Sequence, residues 1–423
     1  MNSNTIRHRA ALLLAGTVML GACAPGDDSA SESETGTGTT SSASAPVEER
    51  RVTPRLAITH DGGVTVVDGR TLETVADLPA AGFVRVAPAG DGRHVLLSET
   101  EGFRVLDMGT WAEPHGDHSH FYTADPSSTD VVFEAEKPGH VVRHDGRTVL
   151  FADGSGVVTS FESGALAEPG KAAQKPKTET YTAPDAHHGV AVERGDHSLL
   201  VTVGTEKARS SVVILDRDRR EVGRTDQCPG VHGEGAAAGG AVMFGCEDGP
   251  VVVRGNEIRK VATPTPGYAR TGNAAATEAH RVVLGDYKVD KEAELERPTR
   301  VSLIDTDAGT MKLVELPASY SFRSLARGRF GEALVLGTDG HLRVLDPDTG
   351  QVVGDVEVTR PWTEPEDWQE PRPAVYAQGD TAYVTDPATK TIKAVTISSR
   401  SVAREGRLAE VPNETTGVTG GNS

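Results

Sequence analysis

Aromatic side chains are scarce in this chain, where they make up only 4% of 423 residues. Three tryptophans and five methionines stand against 47 glycines and 24 prolines. Glycine and proline favour turns, so the composition predicts an all-β, turn-rich protein built on valine, leucine and threonine rather than on helices. The length alone permits two independent domains.

Basic residues are in the minority, with 43 lysines and arginines against 61 acidic residues and a net charge of −18. A nucleic-acid backbone is bound by basic patches, so this balance argues against nucleic acid as a partner. An acidic surface favours cations, although only weakly and over a short range in salt.

Near the N-terminus, an apolar run from Ala10 to Leu20 is too short to span a bilayer as a stable helix. Arg7 and Arg9 precede it, and Leu20-Gly-Ala-Cys23 follows, which resembles the bacterial lipoprotein cleavage box. Residues 1–22 are therefore predicted to be a lipoprotein signal peptide, with Cys23 lipidated at the outer face of the cytoplasmic membrane. The alternative is an ordinary signal peptide with an incidental cysteine.

Only two other cysteines are present, Cys228 and Cys246. An exported protein can form a disulfide, and no third thiol competes once Cys23 is acylated. A Cys228–Cys246 bridge is therefore favoured, although cysteine-ligated metal is an alternative.

Bulky apolar side chains are almost absent from residues 23–51, which predicts a disordered tether after the lipidated cysteine. From residue 52 to 411, short β runs alternate with Asp/Gly turns, as in Phe103-Arg-Val-Leu-Asp107 and Leu342-Arg-Val-Leu-Asp346. A repeat of roughly 40 to 50 residues of this kind indicates a single β-propeller. Residues 412–423 are expected to be a flexible tail.

The repeats begin near residues 55, 83, 138, 187, 232, 270, 322 and 373, which favours eight blades, with seven as the alternative. The first repeat is short of one strand. Pairing of the N- and C-terminal strands within one blade would explain that shortfall.

Histidines are concentrated in three short segments. In the first, His118 and His120 are two residues apart, so on an extended segment both side chains point the same way and could chelate a tetrahedral ion. Asp117 could orient one imidazole, and His115 could add a ligand. The alternative is a solvated polar loop.

The other two segments, His187-His188 and His232-Gly-Glu234, open consecutive blades, so the ring should bring them together. One of the His187–His188 pair should face inward. A projecting loop near 112–122 would add His118 and His120 above them, giving one metal site, with Glu234 as a further polar neighbour. His140, His144 and His280 are isolated and receive no role.

These pieces resemble the AztD-type zinc chaperones, exported propellers that hand zinc to the binding protein of an ABC importer. The resemblance rests on Gly116-Asp-His-Ser-His120, Ala186-His-His-Gly-Val-Ala-Val192, Cys228-Pro-Gly-Val-His-Gly-Glu234 and Phe244-Gly-Cys-Glu-Asp-Gly249, with weaker echoes in Gly272-Asn273 and Leu284-Gly-Asp-Tyr287. It implies the disulfide and a zinc site that uses His118, His120, one of His187 and His188, and His232. It implies no catalysis. The histidine-rich N-terminal stretch of some relatives is missing from residues 24–51.

The sequence thus predicts a lipid-anchored, extracytoplasmic zinc chaperone, with zinc, the solute-binding protein of a zinc ABC importer and the membrane as its partners. One alternative is a propeller hydrolase or lactonase that uses the metal to activate water, with Glu234 assisting. No Gly-x-Ser-x-Gly nucleophile motif supports it. The other is a metal-free scaffold that binds proteins across the propeller face.

Overall fold

A computed structural model describes residues 45–421, in which the strands form eight four-stranded antiparallel sheets and one three-stranded sheet. For most pairs of neighbouring four-stranded sheets the innermost strands contact one another, and the innermost strand of the last sheet contacts that of the first. The sheets are therefore the blades of one closed propeller. The prediction of eight blades is confirmed, and seven is excluded.

The strands of the first half follow in chain order. Strand β1 is Val47–Glu49. Blade 1 contains β2 Arg55–His60, β3 Gly63–Asp68 and β4 Thr74–Pro79. Blade 2 contains β5 Arg85–Pro88, β6 His94–Glu99, β7 Gly102–Asp107 and β10 Ser127–Glu134, with β8 Thr110–His115 and β9 His118–Thr123 inserted. Blade 3 contains β11 Pro138–His144, β12 Arg147–Ala152, β13 Val157–Glu162 and β14 Glu179–Thr182, with a 3-10 turn at Ser163–Ala165. Blade 4 contains β15 Ala191–Glu193, β16 Leu199–Gly204, β17 Arg209–Leu215 and β18 Glu221–Thr225.

The second half continues the same pattern. Blade 5 contains β19 Glu234–Ala237, β20 Ala241–Phe244, β21 Val251–Arg254 and β22 Glu257–Lys260, with a 3-10 turn at Ala238–Gly240. Blade 6 contains β23 Ala274–Ala275, β24 Val282–Asp286, β25 Arg300–Asp305 and β26 Thr310–Glu315. Blade 7 contains β27 Leu325–Arg327, β28 Ala333–Leu336, β29 His341–Leu345 and β30 Val352–Glu357. Blade 8 contains β31 Ala374–Gln378, β32 Thr381–Asp386, β33 Thr391–Thr396 and β34 Ser401–Arg407. The last strand, β35 Thr415–Val418, belongs to blade 1.

Strand β35 closes the ring, because it pairs antiparallel with β2 and forms the innermost strand of blade 1. Thr416 and Val418 are buried there. The C-terminal strand thus supplies what the first repeat lacks, as expected. The prediction of a flexible tail over 412–423 is wrong for this segment, since its backbone completes a sheet.

The predicted tether is also wrong at its end, because Val47–Glu49 forms β1 and pairs with β9. Residues 1–44 lie outside the described residues, and with them the predicted signal peptide, Cys23 and most of the linker. Within residues 45–421, no helix is long and apolar enough to cross a membrane.

Buried apolar side chains lie between neighbouring blades. Val192, Val212 and Ile214 of blade 4, for example, share one cluster with Val242 and Phe244 of blade 5. Strand direction alternates within each blade, so the connections fall on two faces. The innermost strands all begin on one face, here termed the entrance face. Each connection from the third to the fourth strand lies on the opposite face.

A buried ion cluster lies in blades 3 and 4, where Glu193 is fully buried. Its carboxylate accepts hydrogen bonds from Arg147 Nη2 at 2.8 Å and Arg219 Nη2 at 2.9 Å. Burial raises the pKa of Glu193, but hydrogen bonds from Ser160, Arg219 and Arg147 outweigh it and hold the pKa below its ordinary value. The folded state therefore favours the ionised carboxylate.

Glu193→Gln should lower the free energy of unfolding at pH 7 by about 3 kcal/mol, because it removes the fully buried carboxylate that pairs with two poorly solvated arginines. The pKa of Glu193 is lower in the folded protein than in the unfolded chain, where it is about 4.3. The ionised carboxylate therefore stabilises the fold above a pH of about 4.3, and this stabilisation is lost as the pH falls through the folded pKa. The difference between wild type and variant should therefore shrink below pH 4. Urea unfolding at pH 7 and pH 3 measures both effects. Glu179→Gln is the control, since the more exposed Glu179 contacts the same arginines. An equal loss in both variants would contradict this account.

Candidate metal centres

Three imidazoles converge on the entrance face at the beginnings of three consecutive blades. His140 lies in the first residues of β11, His188 shortly precedes β15, and His232 precedes β19 by two residues. The Nε2 atom of His188 lies 3.1 Å from Nε2 of His232 and 3.3 Å from Nε2 of His140. We term this group the entrance site.

The Nδ1 atoms of the same imidazoles point outward to oxygen acceptors. His188 Nδ1 lies 2.6 Å from Asp153 Oδ2, and His232 Nδ1 lies 2.7 Å from the carbonyl oxygen of Gly272. A carbonyl oxygen only accepts, so Nδ1 of His232 carries the proton and Nε2 presents a lone pair. The carboxylate of Asp153 favours the same tautomer in His188. An ion between these Nε2 atoms would replace lone-pair repulsion by coordination.

Asp153 reaches His188 because glycine lines its surroundings. A Cβ atom on Gly139 would lie 2.2 Å from Asp153 Oδ1, and one on Gly189 would lie 2.2 Å from the ring of Phe151. The peptide nitrogen of Gly189 also donates to Asp153 Oδ1 at 3.4 Å. The glycine after His188 is therefore required by packing.

His232 is held by a layer of backbone contacts. The peptide nitrogen of His232 donates to the carbonyl oxygen of Gly245 at 3.0 Å. Gly245 is adjacent to Cys246, which forms with Cys228 the disulfide that the sequence favoured. Asp286 Oδ1 accepts from the nitrogen of Gly272 at 2.6 Å, which positions the carbonyl group that faces His232. The segments around Gly272 and Asp286, the weaker echoes in the sequence, thus support the site directly.

Burial is the main influence on the charge of this site. It lowers the pKa of His232 to about 3 against the opposing hydrogen bond to the carbonyl oxygen of Gly272, and nearby His188, Arg270 and Arg209 each lower it further by a smaller amount. Burial also lowers the pKa of His140 well below its ordinary value, and neighbouring His232 and His188 add to this. Both rings are therefore neutral at physiological pH, which is the form that binds a cation.

Glu234 lies beside this group, with Oε2 at 3.6 Å from His140 Nδ1. Burial raises the pKa of Glu234 to about 7. Because Glu234 contacts Nδ1 of His140, its carboxyl group lies on the side of that ring away from the converging Nε2 atoms.

His187 does not join the group. Its ring is buried, Nδ1 lies 2.9 Å from the carbonyl oxygen of Asp185, and Nε2 lies 3.1 Å from that of Thr202. Both nitrogens thus face backbone acceptors, and the ring packs against Phe151. Of the adjacent pair, His188 faces the converging nitrogens and His187 is part of the core.

The first histidine segment forms a separate group at the tip of the β8–β9 hairpin. His120 Nε2 lies 3.3 Å from His118 Nε2 and 3.2 Å from His115 Nδ1. His118 and His120 point the same way, as their spacing predicted. Asp117 Oδ1 lies 3.2 Å from His118 Nδ1, and the base of the hairpin packs through Trp111 against Tyr122. We term this group the hairpin site.

The two groups lie on different faces of the propeller. The hairpin connects the third strand of blade 2, β7, with its fourth, β10, which places its base on the opposite face. Within residues 45–421, no hydrogen bond or ring contact joins a histidine of one group to a histidine of the other. The prediction of one site shared by all three segments is therefore wrong. The region near 112–122 is an ordered hairpin rather than an irregular loop above the entrance site.

His140 is the residue that the sequence did not identify. It is isolated in the chain, and attention to clusters therefore excluded it. A signal was nevertheless present: Gly139-His140 opens blade 3 just as His188 and His232 open blades 4 and 5. Comparing equivalent positions in successive blades would have found it.

Together, the fold and these two groups define an eight-bladed propeller with two candidate metal centres, each built from three histidines. The chain is similar to the zinc chaperone AztD from Citrobacter koseri, with 26% identity over 330 residues that cover 77% of this chain and 76% of that protein. The resemblance to AztD-type zinc chaperones is thereby confirmed.

Solved structures agree on the fold. The crystal structure of Citrobacter koseri AztD matches with a TM-score of 0.75 and 22% identity over 87% of this chain and 98% of that one. Its apo form matches with a TM-score of 0.74 and 21% identity over the same shares. The dihydro-heme d1 dehydrogenase NirN matches with a TM-score of 0.54 and 12% identity over 86% of this chain and 74% of that one. No protein-family model matches the chain.

Proposed function

We propose that this protein is an extracytoplasmic zinc chaperone that holds zinc at the entrance and hairpin sites and hands it to the solute-binding protein of a zinc ABC importer. The similarity to AztD over 77% of the chain supports the class of function. Residues 1–23 support export and attachment to the membrane through a lipid on Cys23. Zinc is the cargo in this scheme, and no catalysis is assigned.

The spacing of the imidazole nitrogens is the observation that carries the proposal. Nitrogens bound tetrahedrally to zinc at about 2.0–2.1 Å lie about 3.3 Å from one another. Two nitrogen separations are 3.1 and 3.3 Å at the entrance site and 3.2 and 3.3 Å at the hairpin site. These separations match a tetrahedral zinc ion, and all the ligand atoms of each group lie within 4.8 Å of one another.

Three protein ligands leave one position of a tetrahedral ion open. At the entrance site the side chain of His188 is 36% exposed, so an incoming ligand can approach from solvent. A partner ligand can therefore join before an imidazole leaves, and free aqueous zinc is avoided. His188 is the ligand we expect to leave first, because His140 and His232 are more deeply enclosed.

Direct transfer is tested by mixing the zinc-loaded protein with the apo solute-binding protein and following zinc in each. Hand-over should proceed faster than spontaneous release into an excess of chelator, because ligand exchange requires contact between the two proteins. A bovine serum albumin acceptor at equal concentration controls for passive capture. Transfer at or below the rate of spontaneous release would contradict a chaperone role.

Glu234 favours a second function, metal-assisted hydrolysis. A carboxyl group with a pKa of about 7 near a three-histidine ion could act as a general base toward bound water. Its position behind His140 rather than at the open coordination position weighs against this. Turnover of lactone or ester substrates by the zinc form, lost in Glu234→Gln, would favour the enzyme.

A further inference from the structure

Strand β1 is a short, exposed attachment at the edge of the hairpin. It pairs three residues, Val47–Glu49, with Phe121–Thr123, and the side chain of Val47 is 59% exposed. Its polar contacts include Glu49 with Thr123 Oγ1 at 3.3 Å and with Arg70 at 3.8 Å. A strand with so little burial belongs to the least stable parts of a fold.

One contact joins β1 to the hairpin site itself. Glu48 Oε1 lies 2.6 Å from Nδ1 of His120, whose Nε2 faces His118 and His115. The carboxylate fixes the orientation of the ring and favours the proton on Nδ1, so the Nε2 lone pair is directed at the shared centre. His120 is the central ring of the group, because nitrogen atoms of both His115 and His118 lie within 3.3 Å of its Nε2 atom.

We propose that Glu48 is a positioning residue of the hairpin site, and that zinc bound there fixes strand β1 to the propeller. This inference rests on zinc binding at the hairpin, as proposed above. Coordination at Nε2 withdraws electron density from the ring and makes Nδ1–H a stronger donor to Glu48. The coupling is reciprocal: if Glu48 strengthens zinc binding, zinc strengthens the attachment of β1 by the same factor.

The consequence concerns the segment that leads into the propeller. With β1 attached, residues 47–49 lie along the edge of the hairpin, beside the metal site. With β1 released, residues 45–51 are no longer held there. Zinc occupancy on the hairpin would thus set whether this stretch is attached to the propeller.

The experiment uses the full-length protein carrying His188→Ala and His232→Ala, so that zinc binding reports on the hairpin alone. In this background Glu48→Gln should weaken zinc affinity about 10-fold, the lower end of the range for loss of a carboxylate behind a ligating histidine. Glu49→Gln removes the same charge one residue away, from a carboxylate that contacts Thr123 and Arg70, and should leave the affinity unchanged. Competition with a chromophoric chelator measures the affinities.

Amide hydrogen exchange over residues 45–51 is the second readout. Zinc should slow it in the background protein and in Glu49→Gln but not in Glu48→Gln. If the background protein binds no zinc, the hairpin site fails and this inference fails with it. If it binds zinc with equal affinity in all three proteins, or if zinc leaves the exchange unchanged, the inference alone is overturned. Equal losses in Glu48→Gln and Glu49→Gln would also overturn it, because they would indicate a general effect of charge.

Discussion

Replacing His188 and His232 with alanine is expected to reduce the zinc bound per chain from two ions to one. The remaining ligand of the entrance site, His140, cannot hold the ion alone, whereas the hairpin site lies on the other face and keeps all three imidazoles. The affinity lost at the entrance site should exceed about 100-fold, since loss of an outer carboxylate alone costs 10- to 100-fold. Metal analysis of purified protein and calorimetric titration measure both quantities.

Two further variants make this result specific. His118→Ala with His120→Ala should also leave one ion per chain, and the fourfold variant should bind none. His187→Gln is the matched control, because His187 is adjacent to His188 but faces Asp185 and Thr202 instead of the ion. It should keep two ions even if it unfolds more easily. Loss of both ions in either double variant would restore the single shared site that the sequence suggested.

The blade number and the disulfide could be predicted because they depend on local patterns. Asp/Gly turns recur along the chain, and once Cys23 is predicted to be lipidated, the two remaining cysteines have one simple pairing. The orientation of His118 and His120 followed from strand periodicity alone. Each of these conclusions needs only residues that are close in the sequence or properties of the whole chain.

The arrangement of the metal sites could not be predicted in the same way. Which face a segment occupies depends on whether it precedes the first strand of a blade or follows the third, and the exact strand order is not visible in the repeat. The hairpin was therefore assigned to the wrong face. His140 was missed because it stands alone in the sequence, and only its position at the start of blade 3, equivalent to those of His188 and His232, connects it to them. Closure by a C-terminal strand was expected, but the segment that forms β35 was assigned to a flexible tail because its short, threonine-rich sequence has no apolar run.

Removing the disulfide by Cys228→Ala with Cys246→Ala should lower the free energy of unfolding by about 3 kcal/mol, since the bridge closes a loop of this size in the unfolded chain. Both cysteines are fully buried, and alanine leaves a small cavity that adds to the loss. Chemical denaturation of the zinc-free protein measures the change.

The same variant should weaken zinc binding at the entrance site about 10-fold, as expected when support behind a ligand is lost. The bridge holds the segment before His232 against Gly245, where a Cβ atom would lie 2.1 Å from the carbonyl oxygen of Thr271. The backbone segments at His232, Gly245 and Gly272 are thus packed against one another. Loosening one of these contacts displaces the imidazole of His232, which faces His188. Zinc binding at the hairpin, measured in the same protein, is the internal control and should not change. Equal weakening at both sites would indicate a general loosening of the propeller, and unchanged affinity at the entrance site would mean that the backbone hydrogen bonds alone position His232.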